Sequence, residues 1–273
     1  MRRWAIAILF VLSLAILAAS DGIGGDKKPA GTLSIEYHAQ SFYILTTSKG
    51  KRIAFDPHFI AAYQRARETP LKADIVCISH NHNDHTRVEI FEKNKDMVVL
   101  RGLKSMSLKA DWNIFEKTFF DDDVKIKTVG VYHDDNEGLQ RGKNAVFIIE
   151  VDGWRIAHLG DLGHLLTPAQ LKRIGAVDVI MIPVGGIYTL NGADAKKVVE
   201  QIKPKEYVFP MHYGTKEFED ILPVDEFLDG QPKRQVAISD DNVLKLNRDP
   251  SRPRPLTVQL HYWPKEEKKK GDK

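Results

Sequence analysis

The stretch Ser79-His80-Asn81-His82-Asn83-Asp84-His85 decides how this chain is read. Three imidazoles and one carboxylate fall within residues 80–85, spaced His-x-His-x-Asp-His. In an extended loop, side chains two apart point the same way, so His80 and His82 can chelate one ion. The shorter Asp84-His85 step turns the next pair toward a neighbouring position. One loop thus supplies half of a binuclear metal site. Just before it, Ala73-Asp74-Ile75-Val76-Cys77-Ile78-Ser79 is the short apolar run of a buried strand. Ligands at the end of such a strand are held rigidly, as a metal site requires.

Outward from this loop, further donors fall where other strands end. His133 follows a strand predicted over Val124–Tyr132, Asp161 follows one over Trp154–Leu159, and His212 follows one over Tyr207–Pro210. Strand ends let ligands far apart in sequence converge on one edge. A carboxylate between two ions can bridge them, and Gly160 and Gly163 allow close backbone approach beside Asp161. His158 and His164 flank that aspartate; His158 reads as a supporting or structural residue, and His164 as either a support or a substrate contact. Tyr188, after Gly185-Gly186, can place a phenol at the cleft. His38 and His58 receive no chemical role.

The remaining pattern is mixed α/β. Further strands are expected at Leu33–Tyr37, Phe42–Thr47, Arg52–Phe55, Met97–Leu100, Ala145–Val151, Val177–Ile182 and Leu256–Trp263. Short helices are expected at Phe59–Arg67 and Arg87–Glu92, while Ser105–Phe120 reads equally as helix or loop. Thr167-Pro168-Ala169-Gln170 combines an N-cap, a proline at the first helical position and a capping-box glutamine, and the helix should stop at Gly175. Another helix is expected from about Ala193 to Ile202. Strands early and strand–helix alternation later fit two β-rich sheets flanked by helices.

Of the 273 residues, 42% are hydrophobic and 28% charged, enough for one large domain with a substantial core. Met1-Arg2-Arg3, an apolar run from Trp4 to Ala19, and Ala18-Ala19-Ser20 read as an export signal over residues 1–20. An uncleaved membrane anchor is the alternative. Residues 21–31 read as a linker, 32–264 as the domain and 265–273 as a charged tail. Removing Arg2 and Arg3 from the 40 basic residues leaves 38 against 37 acidic ones, a formal charge near +1. No basic stripe interleaved with aromatics appears, so no nucleic-acid partner is expected. Cys77 is the single cysteine; an internal disulfide is excluded, and the residue reads as a small buried hydrophobe.

The ordered set His-x-His-x-Asp-His, then isolated His, Asp and His, resembles the metallo-β-lactamase superfamily over about Leu33 to Gly214. In detail it is similar to the branch holding ascorbate-6-phosphate lactonase-like proteins and the N-acyl-phosphatidylethanolamine phospholipase D. Asp56-Pro57-His58, Arg141-Gly142-Lys143-Asn144, Gly160-Asp161 and Pro183-Val184-Gly185-Gly186 carry that likeness. The resemblance implies a four-layer αββα sandwich with the metal site on one sheet edge. It implies one metal on His80, His82 and His133, a second on Asp84, His85 and His212, and Asp161 between them.

Two zinc ions suit such a thiol-free set, with iron or manganese as alternatives. A hydroxide between two such ions would be the nucleophile. Asp84 would orient it and pass its proton on, with His164 and Tyr188 as further candidate catalytic residues. The expected function is an exported hydrolase of an ester, lactone, amide or phosphodiester, acting on a small molecule or a lipid. A non-catalytic metal-binding protein of the same fold and a binuclear iron oxidoreductase are the competing readings. Every expected ligand is present, which weighs against the first. His82 stands where the flavodiiron members carry a glutamate, which weighs against the second.

Overall fold

The computed structural model describes residues 32–60, 70–107, 109–216 and 218–262. The expected export segment, the linker, most of the Phe59–Arg67 helix and the charged tail lie outside the described residues. The first strands are β1 (Ser34–Tyr37), β2 (Tyr43–Thr46), β3 (Arg52–Phe55), β4 (Ile75–Ile78) and β5 (Val98–Arg101). Next come β6 (Glu116–Phe119), β7 (Val124–Tyr132), β8 (Lys143–Val151) and β9 (Trp154–His158). Helix α1 (Pro168–Ile174), β10 (Val179–Pro183), α2 (Gly192–Ile202) and β11 (Tyr207–Met211) alternate after that. The chain closes with α3 (Asp225–Leu228), β12 (Val236–Ile238), β13 (Val243–Lys245) and β14 (Leu256–Gln259).

These strands make two sheets. One is ordered β13-β1-β2-β3-β4-β5 and the other β12-β14-β11-β10-β9-β8-β7-β6. Strand β4, Ile-Val-Cys-Ile, is buried on both faces and pairs in parallel with β3 and β5, which explains its unbroken apolar run. Strand β7 carries more alternation along its length, as its place nearer the sheet edge allows. Tyr37, Leu45, Phe55, Cys77, Phe147, Met181 and Phe209 belong to the core between the sheets. Cys77 is buried there, as expected of a small hydrophobe, and burial pushes its thiol well up.

The helices α1, α2 and α3 cluster beside the eight-stranded sheet, where Ile174, Val198, Ile202 and Phe227 join the main core. Helix α1 starts as its sequence dictates. Thr167 accepts from the Gln170 backbone, the Gln170 side chain accepts from the Thr167 backbone, and Gly175 ends the helix at φ 69°.

The other flank departs from expectation. Arg87–Glu92 is not a helix but a single 3-10 turn, Val88–Ile90, whose N-cap Arg87 makes no side-chain cap bond. So few residues without a cap cannot offset the cost of helix nucleation. Among the described residues, Phe91 with Leu71, Val88, Ile90 and Met97 covers Phe42, Ile44, Val76 and Ile78 there instead. Ser105–Phe120 resolves into a loop followed by β6, with the Trp112 indole donating to the carbonyls of Val131 and Asn144.

The topology places the site. Strands β9, β10 and β11 run parallel, and β7 runs antiparallel to β8, itself antiparallel to β9. The C-terminal ends of β7, β9, β10 and β11 therefore share one edge, and β4 delivers the histidine loop to that edge from the facing sheet.

Candidate metal centre

All seven sequence-predicted ligands converge at this edge. The donor atoms of His80, His82 and His133 lie within 4.8 Å of one another, and so do those of Asp84, His85 and His212. Asp161 sits between the two groups. Its Oδ2 is 3.1 Å from His85 Nε2, 3.2 Å from His133 Nε2, 3.3 Å from His212 Nε2 and 3.7 Å from His80 Nε2. The other oxygen, Oδ1, accepts a hydrogen bond from Ser41 Oγ at 3.0 Å. One carboxylate oxygen thus faces four imidazoles while its twin is tied back to the protein. His82 approaches through its other nitrogen, Nδ1, 3.1 Å from His80 Nε2.

The residues behind the donors fix which nitrogen faces the centre. Asp56, at the end of β3, accepts from the Ser79 backbone at 2.7 Å and from Ser79 Oγ at 2.6 Å. Having given its proton to Asp56, Ser79 Oγ accepts from His80 Nδ1 at 2.9 Å. His85 Nδ1 lies 3.1 Å from the same Asp56 carboxylate. The Ser79 contact keeps the His80 proton on Nδ1 and presents its Nε2 as a lone pair, while Asp56 lies on the Nδ1 side of His85, the arrangement in which a carboxylate orients a metal-binding histidine. Asp56 also lies within ligand reach of His80 and His85, but on the Nδ1 side of both rings and with both oxygens engaged by Ser79.

His158 is a support, as expected. Its Nε2 donates to the Ser41 carbonyl at 2.8 Å and its Nδ1 accepts from the Gly160 backbone at 3.2 Å. It thereby steadies the residues on both sides of the Asp161 contact. His164 has no nitrogen to spare: Nε2 accepts from the Tyr132 backbone at 3.0 Å and Nδ1 donates to the Leu165 carbonyl at 2.7 Å. Of its two expected roles, the geometry supplies the positioning one, next to His133, and not the substrate contact. His58 is likewise committed to the His38 carbonyl and the Ile60 backbone.

Close backbone packing holds these loops. A Cβ at Gly163 would sit 2.3 Å from the His133 carbonyl oxygen, and one at Gly185 would sit 2.2 Å from that of His212. Asp56 and His212 themselves take the left-handed region, at φ 45° and 49°, a costly conformation of the kind that gathers at functional sites.

The electrostatics divide the donors, His80 and His82 being lowered and His85 and His212 raised. Burial, foremost, pushes the His80 and His82 imidazoles down toward the neutral form that can bind metal. Burial opposes charge on Asp161 and Asp84 as well. The positive potential of His212 and His85 outweighs it at Asp161, and that of His85 with the His212 hydrogen bond outweighs it at Asp84. Both carboxyls lie below the usual range. At His85 burial is outweighed by Asp161, Asp84 and Asp56, which push the imidazole up. Buried Nδ1 atoms of His133 and His212 have no hydrogen-bond partner. Such a packed, desolvated set of imidazoles and carboxylates fits the binding of metal rather than a hydrogen-bonded core.

A cavity of about 270 Å³ opens onto the centre, lined by His82, Asp84, His133, Asp161 and His212 together with Gln40, Arg141, Tyr188, Phe218 and Ile221. Tyr188 is thus at the cleft as expected. Sequence reasoning missed Ser41 and Gln40, carried by the β1–β2 turn, and gave Asp56 and Arg141 no role. Asp56 did carry the signal used for the others, an acidic residue at the end of an apolar strand. Nothing local marks Ser41.

A model of the beta-lactamase superfamily domain matches residues 34–212, a span that contains all seven converging donors. A UPF0173 metal-dependent hydrolase of Thermococcus onnurineus is 33% identical over 178 residues, which cover 60% of this chain and 78% of that protein. A crystal structure from Thermotoga maritima, of a protein placed in the metallo-beta-lactamase superfamily, aligns with a TM-score of 0.62 and 30% identity. That alignment covers 84% of this chain and 100% of the other. A Parabacteroides distasonis structure aligns at 0.56 and 25% identity over 73% of this chain and 88% of its own.

Proposed function

This chain belongs to the beta-lactamase superfamily as a metal-dependent hydrolase, and on that premise we propose an exported enzyme that cleaves an ester, lactone, amide or phosphodiester at a binuclear centre. One observation carries the reading: Asp161 Oδ2 faces four imidazole nitrogens at 3.1–3.7 Å, between two triads of donors. His80, His82 and His133 would hold one ion, Asp84, His85 and His212 the other, and Asp161 would span them. Zinc suits this imidazole-rich, thiol-free set, with iron or manganese as alternatives. Bound there, the ions would supply Lewis acidity and an acidified water.

The chain's own groups do the rest. Asp84 lines the cavity with its side chain 38% accessible, close enough to incoming water to orient it and take its proton. The Tyr188 phenol, at the same cavity, would donate to an oxyanion. The cavity volume suits a small acyl or phosphoryl group, and a lipid substrate would leave its chains outside the mouth.

The purified protein should contain close to two transition-metal ions per chain after reconstitution with zinc, iron or manganese. His82→Ala should lower metal content and abolish turnover together, because it deletes a ligand and not a substrate contact. Elemental analysis that finds no bound metal after reconstitution defeats the proposal. Hydrolysis is then screened on lactones, carboxyl esters, phosphodiesters and β-lactams.

Export is supported by Arg2-Arg3, the apolar run to Ala19 and the small residues Ala18-Ala19-Ser20. It places the mature N-terminus at Asp21, in the periplasm or outside the cell. N-terminal sequencing of natively expressed protein tests this. Intact Met1 in a soluble cytoplasmic fraction contradicts it, and intact Met1 in membranes converts the signal into an anchor.

A further inference from the structure

We propose that Arg141 is a specificity residue that binds an anionic oxygen group on the substrate, so that the bond cleaved lies in a molecule already carrying a carboxylate or a phosphate. The inference rests on reading the cavity at the metal centre as the substrate pocket.

Arg141 ends a loop that is wound around one carboxylate. Asp134 accepts from the backbones of Asn136 at 2.9 Å, Gly138 at 2.8 Å, Gln140 at 3.1 Å and Arg141 itself at 2.7 Å. The side chain is then fixed at its far end. Its Nη2 donates to the Ile187 carbonyl at 2.9 Å, and the guanidinium lies 4.8 Å from the centre of the Tyr188 ring. Ile187 holds a φ of 54°, a conformation a β-branched residue adopts only when its surroundings impose it. An arginine anchored at both ends is preorganised.

Its charge, in contrast, meets no carboxylate among the described residues. Arg141 lines the same cavity as Asp84 and Asp161, yet among the described residues it is in ion-pair range of no carboxylate. Those two aspartates face the histidines instead, at 3.1–3.9 Å. Ile187 engages a single donor of the five that a guanidinium carries. The rest form a planar fork at the edge of a cavity whose remaining wall includes Phe218 and Ile221. A fixed fork beside a reaction centre is matched by a planar carboxylate or by two oxygens of a phosphate.

The test compares binding and needs no turnover. Calorimetry on the zinc-loaded full chain measures butyrate against succinate, glutarate, adipate and 3-phosphonopropionate. A dianion could place one end at the metal and the other at Arg141. At least one of them should bind about tenfold or more tighter than butyrate, the range expected for a hydrogen bond to a charged group. Arg141→Gln should reduce it to the butyrate level while butyrate itself is unaffected, and Arg141→Lys should restore only part of the difference. The part of a preference that Arg141→Gln removes reports on the arginine end: if it is larger for 3-phosphonopropionate than for any dicarboxylate it favours phosphate, and otherwise carboxylate.

Equal binding of butyrate and every dianion, or a preference that survives Arg141→Gln, overturns the inference. The ratio of two ligands on one protein is insensitive to a general loss of stability, which melting curves read separately. A chain that holds metal and shows the Arg141-dependent preference but hydrolyses nothing in the screen would count against the proposed function and leave the anion-binding role of Arg141 standing.

Discussion

Asp84→Asn should lower turnover by at least about a hundredfold, the lower range for losing a positioned acid–base group. The change keeps the shape of the side chain and removes its charge. An amide nitrogen accepts no proton, and an amide oxygen is a weaker ligand than the carboxylate that now lies 3.3 Å from His85 Nε2 and 3.9 Å from His212 Nε2. The donors of the His80, His82 and His133 group are untouched, so metal there should largely survive. Turnover and metal content measured on the same preparation separate the two roles. Near-normal turnover with the metal in place would remove Asp84 from the catalytic machinery.

Asp56→Asn should weaken metal binding by about ten- to a hundredfold, the usual cost of losing a carboxylate that orients a histidine ligand. Asp56 stands on the far side of the rings, taking the Ser79 hydroxyl at 2.6 Å and lying 3.1 Å from His85 Nδ1. With an amide there, one oxygen must serve both Ser79 donors and His85, or an N–H must face an imidazole N–H. Either outcome loosens the tautomers of His80 and His85 together. Competition against a chelating indicator gives the affinity. Affinity equal to wild type would show that the rings are fixed by packing alone.

How much of this was legible beforehand follows from the range of the interactions. The capping box at Thr167 and Gln170, the stop at Gly175 and the buried run of β4 are local features, and they fold as read. Edge elements were not legible. β13 is three residues long, with Val243 44% exposed, and exists because Leu244 pairs with Ile35 across the whole chain. No apolar period can announce a partner so distant. The Arg87–Glu92 helix failed for the converse reason, since its apolar residues were placed by the sheet they cover and not by a helical repeat.

The seven donors belonged to the sequence by itself: metal-binding side chains at the ends of apolar strands converge wherever those strands share a sheet edge. Only the tertiary structure decided what each donor does there. Ser41 reaches Asp161 across 120 positions and Asp56 reaches Ser79 across 23. Those distant hydrogen bonds select the nitrogen or oxygen turned toward the centre. The same holds for Arg141, an ordinary basic residue in the sequence. The Asp134 loop and the Ile187 carbonyl make it a fixed charge at the mouth of the cavity.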